Sequence, residues 1–322
     1  MNKNNAINIA FCSDNNYLKY IAIAIQSINF NNKNNLLQFH VFLYDVPKEE
    51  SDKLLTLSNN ITIYFIPTEY MEQYDNDYSI KHLNRSIYIR LLVPRLLKNK
   101  VDKLIYLDAD ILCFRDISDI KAINIDDVIC AVCPDSKKSE HIQKNIKRLN
   151  LTNNTYFNSG FLYINIKKWN DFHTENKVNE ILLNKNKQLL YPDQDALNIV
   201  LQNHILIIDA EWNYLFTWLN SKQKQEFFLK RSHIPYFMHF TGARKPWYCE
   251  HVGIAQNLYL FYKHFTPWMM TPLESYESKM RINDYRIYAK EFLKNGNILK
   301  AIRYSLFYIK LKLKLFLGIR IK

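Results

Sequence analysis

Lys103-Leu104-Ile105-Tyr106-Leu107-Asp108-Ala109-Asp110-Ile111-Leu112 is an apolar run interrupted by two carboxylates one residue apart. Its first five residues predict a short strand, and the acids follow where that strand ends. Two like charges inside an apolar segment are costly to bury without a partner. A divalent cation answers that cost, because it neutralises both and keeps open positions for phosphate oxygens. The plain alternative is a pair of acids in a solvated turn that caps the following segment. D-x-D alone does not separate the two readings.

Outward from this stretch the chain alternates strand-like and helix-like segments. Ile7-Asn8-Ile9-Ala10-Phe11-Cys12 predicts a first strand, closed by the turn cluster Ser13-Asp14-Asn15-Asn16. Leu18, Ile21, Ile25 and Ile28 then recur at helical spacing. Residues 39–44 and 61–66 predict two more strands, with a charged helix over 48–57 between them. Such alternation favours a largely parallel sheet covered by helices on both faces. Ligands gather at the carboxyl ends of such strands, where Asp14-Asn15-Asn16 and Asp108-Ala109-Asp110 both fall. No internal repeat is evident, and the Asn-rich stretches are too short to form low-complexity segments.

The 322 residues, 48% of them hydrophobic, suffice for one large domain or for one domain and an appendage. No run of 18 apolar residues exists, so no spanning helix is expected. The polar opening Met1-Asn2-Lys3-Asn4-Asn5 lacks the apolar core of a secretory signal, which predicts a cytoplasmic protein. Five cysteines in no dense framework fit reduced thiols; Cys12 and Cys113 read as small core residues. Cys130 and Cys133 form a C-x-x-C with no second pair to complete a zinc site. The net charge of +12 is unevenly placed. Residues 281–322 hold eleven Lys and Arg against two acids, a net +9, which leaves +3 for the other 280 residues. A basic tail on a nearly neutral body points to one anionic partner at the C-terminus and away from a nucleic-acid groove.

Three further clusters stand out: Tyr156-Phe157-Asn158-Ser159-Gly160, Tyr191-Pro192-Asp193-Gln194-Asp195 and His239-Phe240-Thr241-Gly242-Ala243-Arg244-Lys245-Pro246-Trp247. Each also has a structural reading: a strand-entry turn, a Pro-led first turn of a helix with acids favoured by its dipole, and a strand with a glycine turn. The structural readings do not account for the combination. Taken in order with Phe11–Tyr17 and Leu107–Asp110, the set resembles glycosyltransferase family 8, and within it the bacterial lipopolysaccharide and lipooligosaccharide galactosyl- and glucosyltransferases. The likeness spans roughly residues 6 to 250.

That resemblance implies an α/β fold of the GT-A type: a Rossmann-like nucleotide-sugar-binding domain with a mainly parallel sheet, here over residues 1–265. Residues 266–322 would form a basic, aromatic membrane-association segment. It implies Asp108, Asp110 and His239 as metal ligands, a set that suits Mn²⁺ better than Mg²⁺. Asp14, Asn16 and Tyr17 would hold the uridine and ribose. Gly242 and Lys245 would meet the diphosphate, with Arg90 near the donor. Asn158, Asp193 and Gln194 would bind the transferred sugar. The expected reaction moves galactose or glucose from UDP-galactose or UDP-glucose to a lipid-linked oligosaccharide, with retained anomeric configuration. Gln194 is the residue expected at the sugar's far face and Asp193 the one that orients its hydroxyls. An amide is a poor nucleophile, which favours front-face attack over a covalent intermediate. Asp195 is expected to support the helix.

The tail interleaves Lys and Arg with Tyr, Phe, Ile and Leu, which fits an anionic membrane surface or an RNA-like partner, with a solvated helical face as the plain reading; lipid-linked acceptors favour the inner face of the cytoplasmic membrane and no nucleic-acid partner. The alternation Ile309-Lys310-Leu311-Lys312-Leu313-Lys314-Leu315 fits a strand better than a helix. Two rival classes fare worse. A sugar nucleotidyltransferase wants a glycine-rich phosphate loop after the first strand, and Ser13-Asp14-Asn15-Asn16 has no glycine. A non-catalytic glycan-binding or membrane protein has little use for Asp108, Asp110, His239 and Lys245 together. Five glycines in the whole chain also weigh against dinucleotide and P-loop folds.

Overall fold

The computed structural model describes residues 6–72, 74, 85–135, 139–184, 189–220, 223 and 234–319. The polar opening, residues 1–5, and the end of the basic tail, residues 320–322, lie outside the described residues. A seven-stranded sheet has the order β3-β2-β1-β4-β7-β6-β8. Its strands are β1(Ile7–Ser13), β2(Leu37–Leu43), β3(Ile61–Phe65), β4(Lys103–Leu107), β6(Cys130–Pro134), β7(Phe157–Asn165) and β8(Ile205–Ile207). Only β7 runs against the others. A second, three-stranded sheet joins β5(Ile111–Cys113), β10(Phe237–His239) and β9(Tyr214–Leu215).

Period-two alternation sorts the strand side chains into two cores. Ile9 and Phe11 of β1 with Ile105 and Leu107 of β4 meet α1(Leu18–Asn31), which lays Leu18, Ile21, Ala22 and Ile25 on that face. Ala10, Leu104 and Tyr106 face the other way, onto α4(Ile89–Leu96) and α8(Pro192–Leu201). The expected parallel sheet with helices on both faces is therefore present. Both faces are covered, so the central strands read as apolar runs.

The chain winds outward from β1 to β2 and β3, then returns to place β4 on the other side of β1. That reversal opens a crevice at the carboxyl ends of β1 and β4, the position where open α/β sheets take ligands.

The tail departs from expectation. Ile309–Leu315 is not a strand: it lies in the 19-residue helix α11(Ile298–Phe316), which follows α10(Ile282–Lys294). An alternating pattern makes a strand only beside a partner strand, and none is offered there. Lys and Leu are strong helix formers, and the Asn297 side chain caps the helix by accepting from the Lys300 N–H at 3.2 Å. Tyr288, Ala289 and Phe292 of α10 and Ala301 and Tyr304 of α11 share a third core. It also takes Trp247, Tyr248 and, from α9(Ile254–His264), Tyr259. No helix among the described residues is long and apolar enough to cross a membrane.

Candidate active site

Three strand ends converge on the crevice. Asp108 follows β4 directly, and its N–H donates to Gly160 O at 2.9 Å. Because β7 is antiparallel to β4, the start of β7 lies beside the end of β4, which brings Asn158, Ser159 and Gly160 to the acids. Asp110 precedes β5, and the antiparallel β5–β10 pair sets His239 against Ile111, with Phe240 N–H donating to Asp110 O at 2.9 Å.

His239 Nε2 stands 3.0 Å from Asp110 Oδ1 and 3.9 Å from Asp108 Oδ2. One ligand atom from each of Asp108, Asp110 and His239 falls within 4.8 Å of the others. A chain of hydrogen bonds assigns the tautomer of the ring. Gly160 N–H donates to Asn158 Oδ1 at 3.0 Å, so the Asn158 oxygen faces inward. The Asn213 amide nitrogen donates to that same oxygen at 2.9 Å, which turns Asn213 Oδ1 toward His239 Nδ1, 3.0 Å away. Nδ1 therefore carries the hydrogen, and Nε2 points a lone pair at the two carboxylates. In the neutral ring three lone-pair donors converge. That donor set, two hard oxygens and an imidazole, fits a divalent cation such as Mn²⁺.

Gly160 has a steric reason to be glycine. A Cβ there would lie 2.7 Å from Asp108 Oδ2 and closer still to His239 Cε1.

Two cations back the acids. Buried Arg90 donates to Asp108 Oδ1 at 2.8 Å, to Ser159 O at 3.1 Å and to Ser159 Oγ at 3.0 Å, and pairs with Asp193 Oδ2 at 3.1 Å. Lys245 Nζ bonds to Asp110 Oδ2, and to Phe240 O at 2.7 Å. Burial alone would raise the Asp110 carboxyl, but the Lys245 ammonium beside it holds it far below the usual carboxylate range. Burial raises Asp193 in spite of Arg90.

A cleft of about 760 Å³ runs from this cluster past the first turn of α8. Of the residues singled out from sequence, Arg90, Asp108, Asp110, Asn158, Asp193, Gln194, His239 and Gly242 line it. Gly242 has φ +81°, a left-handed conformation that glycine adopts at no cost. Lys245 reaches the cluster from behind Asp110. Asp14, Asn16 and Tyr17 do not line the cleft. They form the turn after β1, where Asp14 Oδ1 accepts from the N–H groups of Asn16 (3.0 Å) and Tyr17 (3.2 Å). The Tyr17 ring is exposed and stands edge-on to Trp247 at 6.2 Å, while Trp247 stacks on Tyr20 at 3.8 Å.

Gln194 is locked in place. Its Oε1 accepts from Asn158 Nδ2 and from Ser159 N–H, both at 3.1 Å, and its Nε2 donates to Tyr156 Oη at 2.9 Å. Asp195 is fully buried and does support the helix. It holds Arg148 through both oxygens at 2.8 Å, Tyr156 Oη at 2.6 Å and the N–H groups of Leu190 and Tyr191.

Sequence reasoning missed Asp135, His141, Asn213 and Trp218, all but Asn213 in the cleft wall. Asp135 carried the signal that flagged Asp108, an acid closing a β-rich run. Asn213 and Trp218 carried none. The cysteines are free, with Cys130 and Cys133 both buried in β6 and the Cys133 thiol donating to Asp209 O at 3.4 Å.

The family model for glycosyl transferase family 8 matches residues 8–250. The lipopolysaccharide 1,2-glucosyltransferase of Escherichia coli K12 is 30% identical over 277 residues, covering 83% of this chain and 80% of that protein. The lipopolysaccharide 1,3-galactosyltransferase of Salmonella typhimurium LT2 is 27% identical over 319 residues, covering 95% and 91%. Among solved structures, galactosyltransferase LgtC in complex with donor and acceptor sugar analogs superposes with a TM-score of 0.68 at 20% identity, over 85% of this chain and 100% of that one. That likeness speaks for the fold. Together with the matched span, these findings place the chain in glycosyl transferase family 8.

Proposed function

We propose that this chain is a retaining hexosyltransferase that moves galactose or glucose from a UDP-sugar to a lipopolysaccharide or lipooligosaccharide core. The observation that carries this reading is the convergence of Asp108, Asp110 and His239 lone pairs at the mouth of a cleft lined by Asn158, Asp193 and Gln194. The names of the relatives support the acceptor class.

In this reading Asp108, Asp110 and His239 hold Mn²⁺, with Mg²⁺ as a substitute. A bound divalent ion supplies Lewis-acid stabilisation of the departing diphosphate. Lys245 adds positive charge to that leaving group, and Gly242 lets the backbone come close to it. Tyr17, Asp14 and Asn16 hold the nucleoside. Arg90 spends its donors on Asp108, Asp193 and Ser159, so it sets the geometry of the donor site. Asn158 and Asp193 bind sugar hydroxyls.

Gln194 has both carbonyl lone pairs engaged by internal donors, which leaves it unsuited to attack the anomeric carbon. We therefore favour front-face transfer. The bond from the anomeric carbon to the phosphate oxygen breaks, the acceptor oxygen bonds the same face, and its proton passes to the departing phosphate oxygen. Residues 1–265 act as the catalytic domain with residues 276–304 packed against it, and the exposed half of α11 beyond Tyr304 docks on the inner face of the cytoplasmic membrane, where lipid-linked acceptors reside. The test is turnover of a panel of UDP-sugars with and without Mn²⁺, with NMR of the product. Metal-dependent release of UDP from one UDP-hexose and an α-linked product are expected. Full activity in EDTA, or a β-linked product, would overturn the reading.

A further inference from the structure

Glu274 lies beyond the span that the family model matches, yet it reaches back to the helix that follows the first strand. Its Oε1 accepts from Tyr20 Oη at 2.5 Å and from Lys19 Nζ at 2.6 Å, both in the first turn of α1. Its backbone carbonyl accepts from Cys249 N–H at 2.8 Å, and the residue pairs with Tyr248 in an isolated β-bridge. One residue therefore clasps the start of α1 and the chain just after Trp247.

We propose that Glu274 is a positioning residue for the donor nucleoside: by fixing Tyr20 against Trp247 it seats the Tyr17 ring where a nucleobase can stack on it. The proposal rests on the reading that Tyr17 meets the base of a UDP-sugar.

The Tyr17 ring takes its orientation from two neighbours. Tyr20 crosses it at 76° with centroids 5.3 Å apart, and Trp247 at 88° and 6.2 Å. Neither lies flat on it, and the residue stays 44% exposed. Those neighbours form one unit, because Tyr20 and Trp247 stack at 3.8 Å with 15° between their planes. Tyr20 is buried, and its hydroxyl, the polar end of the stack, finishes on Glu274. A buried phenol needs an acceptor, and an ionised carboxylate is a strong one. Burial alone would raise the Glu274 carboxyl, but the hydrogen bonds from Lys19 and Tyr20 hold it below its ordinary value. Trp247 also stands two residues after Lys245, whose ammonium bonds Asp110 and lies 5.7 Å from the centre of the Trp247 ring. The stack thus sets the nucleoside end of the donor site against its diphosphate end. The Glu274 side chain is itself 39% exposed, so its ion pair with Lys19 adds little to folding. Its loss is expected to show in donor binding.

The test uses the full chain with Mn²⁺ and measures Kd by calorimetry for UDP and for inorganic pyrophosphate, which has no base. Thermal unfolding is recorded for every variant. Tyr17→Ala removes the stacking face and weakens UDP roughly 5-fold or more. Glu274→Ala gives up part of that contact, roughly 3–10-fold, while pyrophosphate binding and melting temperature stay near wild type. Glu274→Gln, whose carbonyl still accepts from Tyr20, restores most of the loss. Tyr20→Phe deletes the hydroxyl and keeps the ring, so it repeats the loss, and it decides the matter if Glu274→Ala folds poorly. In the Tyr17→Ala background, Glu274→Ala costs nothing further, because it acts through that ring. UDP affinity unchanged in Glu274→Ala and Tyr20→Phe, beside a loss in Tyr17→Ala, overturns the proposal and leaves the nucleoside reading standing. Equal weakening of UDP and pyrophosphate, or a full further loss in the double variant, makes Glu274 merely structural and overturns it too. UDP affinity unchanged in Tyr17→Ala defeats the nucleoside reading itself and this proposal with it.

Discussion

At the level of single residues, the site depends on atoms that are missing as much as on those present. Gly160 gives Asp108 and His239 the space that any side chain would fill. Gly160→Ala is expected to cost about 1–3 kcal/mol through overpacking, and to push Asp108 and His239 apart. Chemical unfolding and Mn²⁺ binding measured side by side check this, and a variant with unchanged stability and metal affinity would contradict the geometry. The tautomer of His239 is likewise set by neighbours, through Asn213, Asn158 and the Gly160 N–H in turn. Asp108, Asp110 and His239 could be named as candidates from sequence, because the motifs that carry the family resemblance, acids in an apolar run and His-x₂-Gly-x₂-Lys, are local. Asn213 could not, since its role exists only once β9, β7 and β10 meet.

At the level of elements, α8 presents Asp193 and Gln194 because Asp195 anchors its first turn. Asp195 is fully buried and paired with Arg148. Arg148→Ala leaves that carboxylate without its cation and is expected to cost about 3–5 kcal/mol, checked by urea unfolding. A loss under about 1 kcal/mol would mean that Tyr156 and the backbone N–H groups satisfy Asp195 unaided. In the sheet, His40 of β2 is buried between Tyr64 Oη and Asn8 Oδ1, each 3.1 Å from a ring nitrogen. A neutral ring satisfies both partners. Burial, with Lys100 adding to it, lowers its pKa from 6.5 to about 4. The unfolded chain therefore binds the extra proton between those values, so stability is full above about pH 6.5 and declines as pH falls toward 4. The contribution is on the order of 3 kcal/mol at most. In His40→Gln the difference in unfolding free energy between pH 4.5 and pH 7 should shrink by a comparable amount. An unchanged difference would assign the acid sensitivity to other groups.

For the whole molecule, the tail has two parts with different fates. Tyr288, Phe292, Ala301 and Tyr304 belong to a core shared with Trp247 and Tyr248, and Trp247 in turn stacks on Tyr20 and meets Tyr17 edge-on. Beyond Tyr304, α11 exposes Leu306, Ile309, Leu313, Leu315 and Phe316 among Lys310, Lys312 and Lys314. In the proposed membrane contact each cation would gain about 1 kcal/mol beside an anionic leaflet, and the apolar side chains would insert shallowly. Removing residues 306–322 is expected to leave UDP-sugar turnover intact while abolishing co-sedimentation with anionic vesicles at low salt. Removing 281–322 should also lower the melting temperature, because it strips the third core. Equal pelleting of the 306–322 deletion and the full chain would place the membrane contact elsewhere.

Much of this protein is written locally. Strand and helix periodicities, the acids that close β4, and the basic composition of the tail are one-dimensional patterns, and the parallel sheet follows from them through handedness and layer rules. The conformation of Ile309–Leu315 was not, because alternation is a strand signal only when a sheet edge is near, and here the segment extends a capped helix. Nor was the far wall of the cleft. Asp135, His141 and Trp218 line that wall from separate segments, and Asp135 stands beside Asn158 because β7 runs against β6. A pairing direction is a long-range contact, and no local pattern encodes it.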